Sequence, residues 1–300
     1  MQYHLPAIES AASGSRRILT GLLDNIGDRL SGDAALSDDN IHEIRKTCKR
    51  LRGLLRLLRP GLDDGEYLAL DRMIRDFSRQ LAGLRDNKVM LDTLEHLARH
   101  FAPVLHEQAL APVHEALRRV TRRHNGTPAV APDPAPLRSR LAEIETAAGQ
   151  MDCSRIDTDT LLAGLRDIYR RGRRALARME ASPDTDNGHM LRRQAKYQYN
   201  QLRMLVAWNG RDLKSLVDRF HDLEETLGKD HDLAVLEAAL DRHPDLCPDR
   251  VRRELLHALI ESRRIALMTR ALRRARELYR EKPGGYRQRL GTTLMQQAAG

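Results

Sequence analysis

Aromatic side chains are few, with one Trp, seven Tyr and three Phe in 300 residues. Runs of β-branched residues are scarce as well, so the usual material of a sheet core is missing. Cysteine is confined to Cys48, Cys153 and Cys247. That odd number, with no CxxC pair, argues against a disulfide framework and for a cytosolic chain. No segment approaches the ~18 apolar residues a membrane span needs, and the opening MQYHLPAIES has no basic stretch leading into an apolar one. Neither membrane insertion nor a secretory leader is expected. A Gly-rich phosphate loop, an HExxH pair and a Ser/His/Asp arrangement are also wanting, so no catalytic residue, metal site or cofactor is expected.

What is present in quantity is Leu, Ala, Arg and Glu, whose propensities point to an all-α protein. The chain carries 51 Lys and Arg against 42 Asp and Glu, a formal charge of +9. The cations are segregated. Residues 41–60, 163–180, 189–203 and 250–280 hold 7, 6, 4 and 10 basic residues against 1, 2, 0 and 3 acidic ones, leaving the remainder net acidic. Segregation of this kind points to a specific anionic partner.

The richest segment is IHEIRKTCKRLRGLLRLLRP, residues 41–60. His42, Arg45, Lys49, Arg52, Arg56 and Arg59 recur every three or four residues and form one stripe on a helix, while Ile41, Ile44, Cys48, Leu51, Leu55 and Leu58 form an adjacent apolar face. Successive cations advance about 5 Å along the axis. Like charges at that spacing destabilise an isolated helix by a few tenths of a kcal/mol per pair, a repulsion that a bound anion would relieve. Upstream, Asp38, Asp39 and Asn40 are N-cap candidates, and Pro60 with Gly61 stops the helix.

Other helices are expected over 7–30, 65–100 with a bend near Gly83, 104–124, 137–148, 159–179, 189–208, 212–240 and 248–281, with a tail helix from Tyr286. Four prolines within 128–136 mark the best boundary in the chain. The expected division is a first helical-bundle half at 7–124, a Pro-rich linker at 125–136, a second half at 137–281 and a tail at 282–300.

The halves repeat. His42-Glu-Ile-Arg45-Lys46-Thr-Cys-Lys49 aligns with His189-Met-Leu-Arg192-Arg193-Gln-Ala-Lys196 at an offset of 147, which also sets Arg56 on Arg203. Further on, the Leu81–Val89 block aligns with Leu227–Val235 at an offset of 146, matching Asp86 to Asp232. The simplest architecture is two antiparallel bundles of about four helices each, related by a pseudo-two-fold, with the two basic stripes facing each other across one groove. A stripe along a helix axis suits a linear polymer of phosphates better than one small anion, with Arg giving bidentate contacts and Lys point charge.

At these residues the chain resembles the CHAD family, helical domains whose repeats carry a His-x-x-Arg-[Lys/Arg]-x-x-[Lys/Arg] signature. The resemblance spans roughly residues 10–280. His42, Arg45, Lys46, Lys49, Arg50, Arg52 and Arg56 fit the first copy, and His189, Arg192, Arg193, Lys196 and Arg203 fit the second. Tyr197 and Tyr199 stand where the family usually has cations. The resemblance implies a non-catalytic module that binds inorganic polyphosphate through these residues and can be targeted to polyphosphate granules in the cytoplasm. The CYTH domain that often accompanies this family needs a Glu-x-Glu-x-Lys strand. The nearest match, Glu143-Ile-Glu145-Thr-Ala147, lacks the Lys, so triphosphate hydrolysis is not implied.

Several residues keep two readings. His42 and His189 each precede a stripe and are read as phosphate donors, with affinity rising as pH falls through the ordinary His range near ~6.5. Asp86 and Asp232 are expected to cap helices or pair with arginines. The arginines at 166–178, Arg170 and Arg174 among them, and those at 263–276 either extend the groove or cover apolar surface, and Tyr199 is a further candidate for the groove. Nucleic acid is the main rival partner, since it too presents dense phosphate. The few aromatics near the stripes disfavour base stacking. A scaffold for an acidic protein is the third reading.

Overall fold

A computed structural model of the protein describes residues 3–6, 9–31, 36–81, 86–106, 108–126, 134–208 and 210–295, excepting the side chains of 86–87, 121–126, 208, 210–212 and 295. Among the described residues the chain is all α: α1 (Ala11–Leu30), α2 (Asp38–Leu58), α3 (Asp64–Gln80), α4 (Asp86–Phe101), α5 (Ala111–Gly126), α6 (Pro134–Gln150), α7 (Thr158–Ala181), α8 (Thr185–Leu205), α9 (Gly210–Arg242), α10 (Arg250–Leu278) and α11 (Pro283–Met295). The expected fold class holds. The single helix expected over 65–100 is instead two, α3 and α4. Gly83 and the central prolines Pro128 and Pro132 lie outside the described residues.

The two basic helices are built alike. Each has 21 residues, with its N-cap at Ser37 or Asp184, positions 147 apart. Ser37 Oγ accepts from Asn40 N at 3.2 Å, and Asp184 Oδ1 accepts from Asn187 N at 2.7 Å. The cap of α2 is therefore Ser37, and Asp38 and Asp39 occupy the first turn, where they still face the positive helix end. Both histidines consequently sit one turn into their helices, not at the first residue.

Two apolar cores form. The larger joins α1, α2, α3, α6, α7 and α8 to the start of α9, the end of α10 and α11. The smaller joins α4 and α5 to the end of α9 and the start of α10. The cores therefore cut across the expected halves. On their own, α4 and α5 present one apolar layer (Leu94, Leu97, Val113, Leu117), which is covered by Leu236, Leu240, Leu256 and Ile260 from α9 and α10. Helix α6, beyond the proline-rich stretch, packs on α1 and α3, while α11 packs on α7.

Close crossings fix the layer that carries the site. At Gly164 a Cβ would lie 2.0 Å from the Leu57 carbonyl oxygen, so α7 touches the backbone of α2. At Gly53 a Cβ would lie 3.4 Å from Asn200 Cβ, where α2 meets α8, and Gln201 Nε2 donates to the Gly53 carbonyl at 3.3 Å. Gly164→Ala should lower the unfolding free energy by ~1–3 kcal/mol through overpacking against main chain that cannot yield. In urea denaturation, Gly149→Ala, with nothing within 4 Å of the added carbon, should show no loss. Equal behaviour of the two variants would contradict the crossing.

Candidate functional site

The α2–α8 crossing distributes the twelve predicted binding residues between two concavities. Gly53 and Asn200 hold the same position in the two sequence repeats and touch each other. Side chains on opposite flanks of the helices therefore fall on opposite sides of that contact. One groove, of about 500 Å³, takes His42, Arg45, Lys46, Lys49 and Arg50 from α2 with Arg192, Lys196, Tyr199 and Arg203 from α8. The other, of about 590 Å³, takes Arg45, Arg52 and Arg56 with His189, Arg193 and Tyr197. These sets largely exchange under the 147-residue offset: 42, 46 and 50 match 189, 193 and 197, while 52 and 56 match 199 and 203. The expected single groove is thus two, with Arg45 lining both.

The first groove holds charge that the fold leaves open. Among the described residues Arg45, Lys49, Arg192 and Arg203 form no ion pair. Lys196 pairs with Glu224, and Lys46 Nζ lies 2.9 Å from Glu43 Oε1. Lys49 remains exposed along the groove, yet the surrounding walls desolvate it, and Lys196, Arg192 and Arg45 add repulsion, lowering its pKa to about 8. His231, on α9, is pushed down to about 4 by burial and by Arg192, His189 and Lys49. Arg192 Nε, His221 Nδ1 and His231 Nδ1 are buried without a hydrogen-bond partner. His221 and its stacking partner Tyr199 (ring centroids 4.8 Å apart) add an aromatic wall.

In the second groove the stripe cations are partly satisfied by protein. Arg52 donates to Asp71 Oδ1 and Oδ2 at 2.9 and 3.2 Å, and Arg56 donates to the same oxygens at 2.9 and 3.3 Å. Burial pushes the Asp71 carboxyl up, but these two guanidiniums outweigh it and hold it below its ordinary value. Arg56 also lies over the Tyr197 ring, 4.3 Å from its centroid. Tyr197, which replaces a family cation, therefore seats one. Arg75 and Arg79 complete this wall and were not expected from the sequence, while Arg171, one of the arginines at 166–178 read as a groove extension, lines it too. His189 is exposed and is shifted down by desolvation, Arg192 and Arg193.

The remaining expectations separate. Arg170 lines a mixed-charge cleft with Asp63, Asp64 and Asp167, lying 3.4 Å from the last, and Arg174 is exposed outside both grooves. Neither extends the site, whereas Tyr199 does. Asp232 lies inside α9 and caps nothing. It faces Arg192, Lys196 and Lys49, but burial dominates and raises its pKa. The side chain of Asp86 is outside the described residues. Asp71, Glu224 and His221 carry no sequence signal, since neither the basic stripes nor the repeat blocks include them, whereas His231 stands in the repeated Leu227–Val235 block.

Lys49 sets the sign of one pH effect. Its folded pKa lies below the unfolded value, so between about 8 and 10.5 the unfolded chain binds the extra proton and stability from this group rises with pH. Below about 8 the cost of holding the charge is present in full. An NMR titration of the lysine side chains should find one ammonium with a midpoint near 8 that moves upward in Lys196→Gln. A Lys49 midpoint at the ordinary lysine value would contradict the crowding.

The CHAD domain model matches residues 17–241. No curated protein matches the sequence. Among solved structures, the fold is similar to the crystal structure of the CHAD domain from the plant Ricinus communis, with a TM-score of 0.61 and 18% identity over 93% of this chain and 95% of that one. It is also similar to PptA from Streptomyces chartreusis, with a TM-score of 0.62 and 14% identity over 91% of this chain and 100% of that one. At these identities the neighbours speak for the fold, and the matching model covers three-quarters of the sequence. The chain belongs to the CHAD domain family, which is associated in general with polyphosphate binding.

Proposed function

We propose that the protein is a non-catalytic module that binds inorganic polyphosphate along the grooves flanking the α2–α8 crossing. The observation that carries this reading is a groove lined from two helices by Arg45, Lys49, Arg192 and Arg203, like charges that repel one another and among the described residues have no ion-pair partner. A polymer with a negative charge on each repeating unit relieves that repulsion along its whole length, and Arg45 offers it a route from one groove to the other. Arg45, Lys49, Arg192 and Arg203 are the primary contacts. His42, Lys46, Arg50, Lys196, His189 and Arg193 flank them. Arg52 and Arg56 contribute less, because Asp71 already engages both. On this reading the protein works in the cytoplasm and is retained on polyphosphate granules. Among the described residues no helix is long and apolar enough to cross a membrane.

A charge-assisted contact of this kind is worth ~1.5–3 kcal/mol, or about tenfold or more in affinity. Arg45→Glu with Lys49→Glu should therefore weaken polyphosphate binding at least a hundredfold by fluorescence titration while circular dichroism stays unchanged. Arg52→Gln should cost less than either single change. Unchanged affinity in the folded double variant would refute the assigned site.

Binding should also move protons. An anion beside Lys49 restores its ammonium, so affinity should fall as pH rises above about 8, with proton uptake visible by calorimetry in buffers of different ionisation heat. Lys49→Arg should remove that step. His189 is shifted down in the free protein, so an anion that restores its charge adds proton uptake and a gain in affinity as pH falls. Affinity that is flat across pH 7–10 in the unaltered protein would contradict the role of Lys49.

A further inference from the structure

A third cavity, of about 580 Å³, opens where α4, α9 and α10 meet. Its size falls in the range typical of small-molecule sites. Its character differs from that of the basic grooves. Leu97, Leu233 and Leu267 are buried members of the smaller core and form an apolar floor, with Thr93 beside them. Arg263, Lys229 and His100 stand at the rim.

Two adjacent arginines on α10 show what the cavity lacks. Arg264 is engaged by protein at all three nitrogens, donating to Asp230 Oδ1 at 3.2 Å, Glu237 Oε2 at 2.7 Å and Thr185 Oγ1 at 3.2 Å. Arg263 turns to the cavity and among the described residues has no carboxylate partner. Its Nη1 lies 3.4 Å from His100 Nε2, a contact that requires the imidazole nitrogen to accept. Burial and the Arg263 charge push His100 down, which keeps it neutral for that task. Burial also lowers the pKa of Arg263, with Arg270 adding to the effect. A partly desolvated guanidinium steered by a neutral imidazole over a leucine floor is an anion receptor with an apolar compartment attached.

We infer that this cavity binds a small amphiphilic anion, its carboxylate or phosphate head on Arg263 and Lys229 and its hydrocarbon body on Leu97, Leu233 and Leu267. The carboxylates Asp92 and Asp232 also line the cavity. Asp232 belongs to the side shared with the first basic groove, where Arg192 and Lys196 face it. Against these two carboxylates the lining sets three cations, Arg99, Lys229 and Arg263. The site does not depend on polyphosphate being the ligand of the grooves, with which it shares only Val89 and Asp232.

Octanoate is the probe, titrated by calorimetry into the full chain beside acetate and octanol. Octanoate should bind saturably, one per chain, and at least tenfold more tightly than either control. Arg263→Gln should reduce it to the level of octanol, while Arg276→Gln, an arginine on the same helix paired with Glu180, should change it less than twofold. Leu267→Trp should fill the cavity and abolish binding. Arg263→Gln, at the rim, tests the site should that core change unfold the chain. Octanoate affinity should be intact in the Arg45→Glu, Lys49→Glu variant, whose changes lie in the basic groove. Absence of saturable octanoate binding, binding that survives Arg263→Gln, or loss of binding in the groove variant would each overturn the assignment.

Discussion

The contact of Gly53 with Asn200 is the constraint on which the site depends. A methyl at position 53 would lie 3.4 Å from Asn200 Cβ, at the near edge of van der Waals contact. The short approach lets Gln201 reach the Gly53 carbonyl across the helix pair. It also brings cations of α2 and α8 close enough for Lys49 to lose part of its proton affinity. Around Arg52, Arg56 and Arg264 the fold sets carboxylates against its cations, whereas in this groove Glu224, which pairs with Lys196, and Asp232 leave Arg45, Lys49, Arg192 and Arg203 without an ion pair among the described residues. The same molecule thus uses both arrangements. Where Asp71 is present the arginines are structural as well as cationic, and where it is absent the charge is left for a partner.

The long helices α9 and α10 join this layer to the smaller core. Each contributes one end to either core, so α4 and α5 are held against the second half of the sequence and not against α1–α3. Asp232, midway along α9, lies at the junction, facing the basic groove and the α4–α9–α10 cavity.

Much of this was legible in the sequence, because it is a matter of period. The 3.6-residue spacing of Leu and Ile gave the helices, and the 147-residue offset from His42 to His189 gave two basic helices, each with a His near its start. What period cannot encode is which helix lies beside which. Pro128–Pro136 looked like a boundary because prolines interrupt local structure, yet α6 beyond it packs on α1 and α3. The stripe from His42 to Arg56 was legible as a list, but its division into two grooves was not. That division follows from the crossing point, which a single Gly53 opposite Asn200 sets. Asp71 and Glu224, which decide which cations remain open, come from helices with no basic stripe. Tyr197 read as a lost cation and is instead the surface on which Arg56 rests.

The central claim is that the α2–α8 crossing is shaped for a linear phosphate polymer and is more than a basic surface. The most direct measurement is a competition titration in which labelled long-chain polyphosphate is displaced by duplex DNA, single-stranded RNA or heparin at two salt concentrations. The account predicts that polyphosphate remains preferred near physiological salt, since closely spaced cations reward the densest line of charge. Equal displacement by all the polyanions, with binding lost as salt rises, would contradict it and leave a non-specific cationic face.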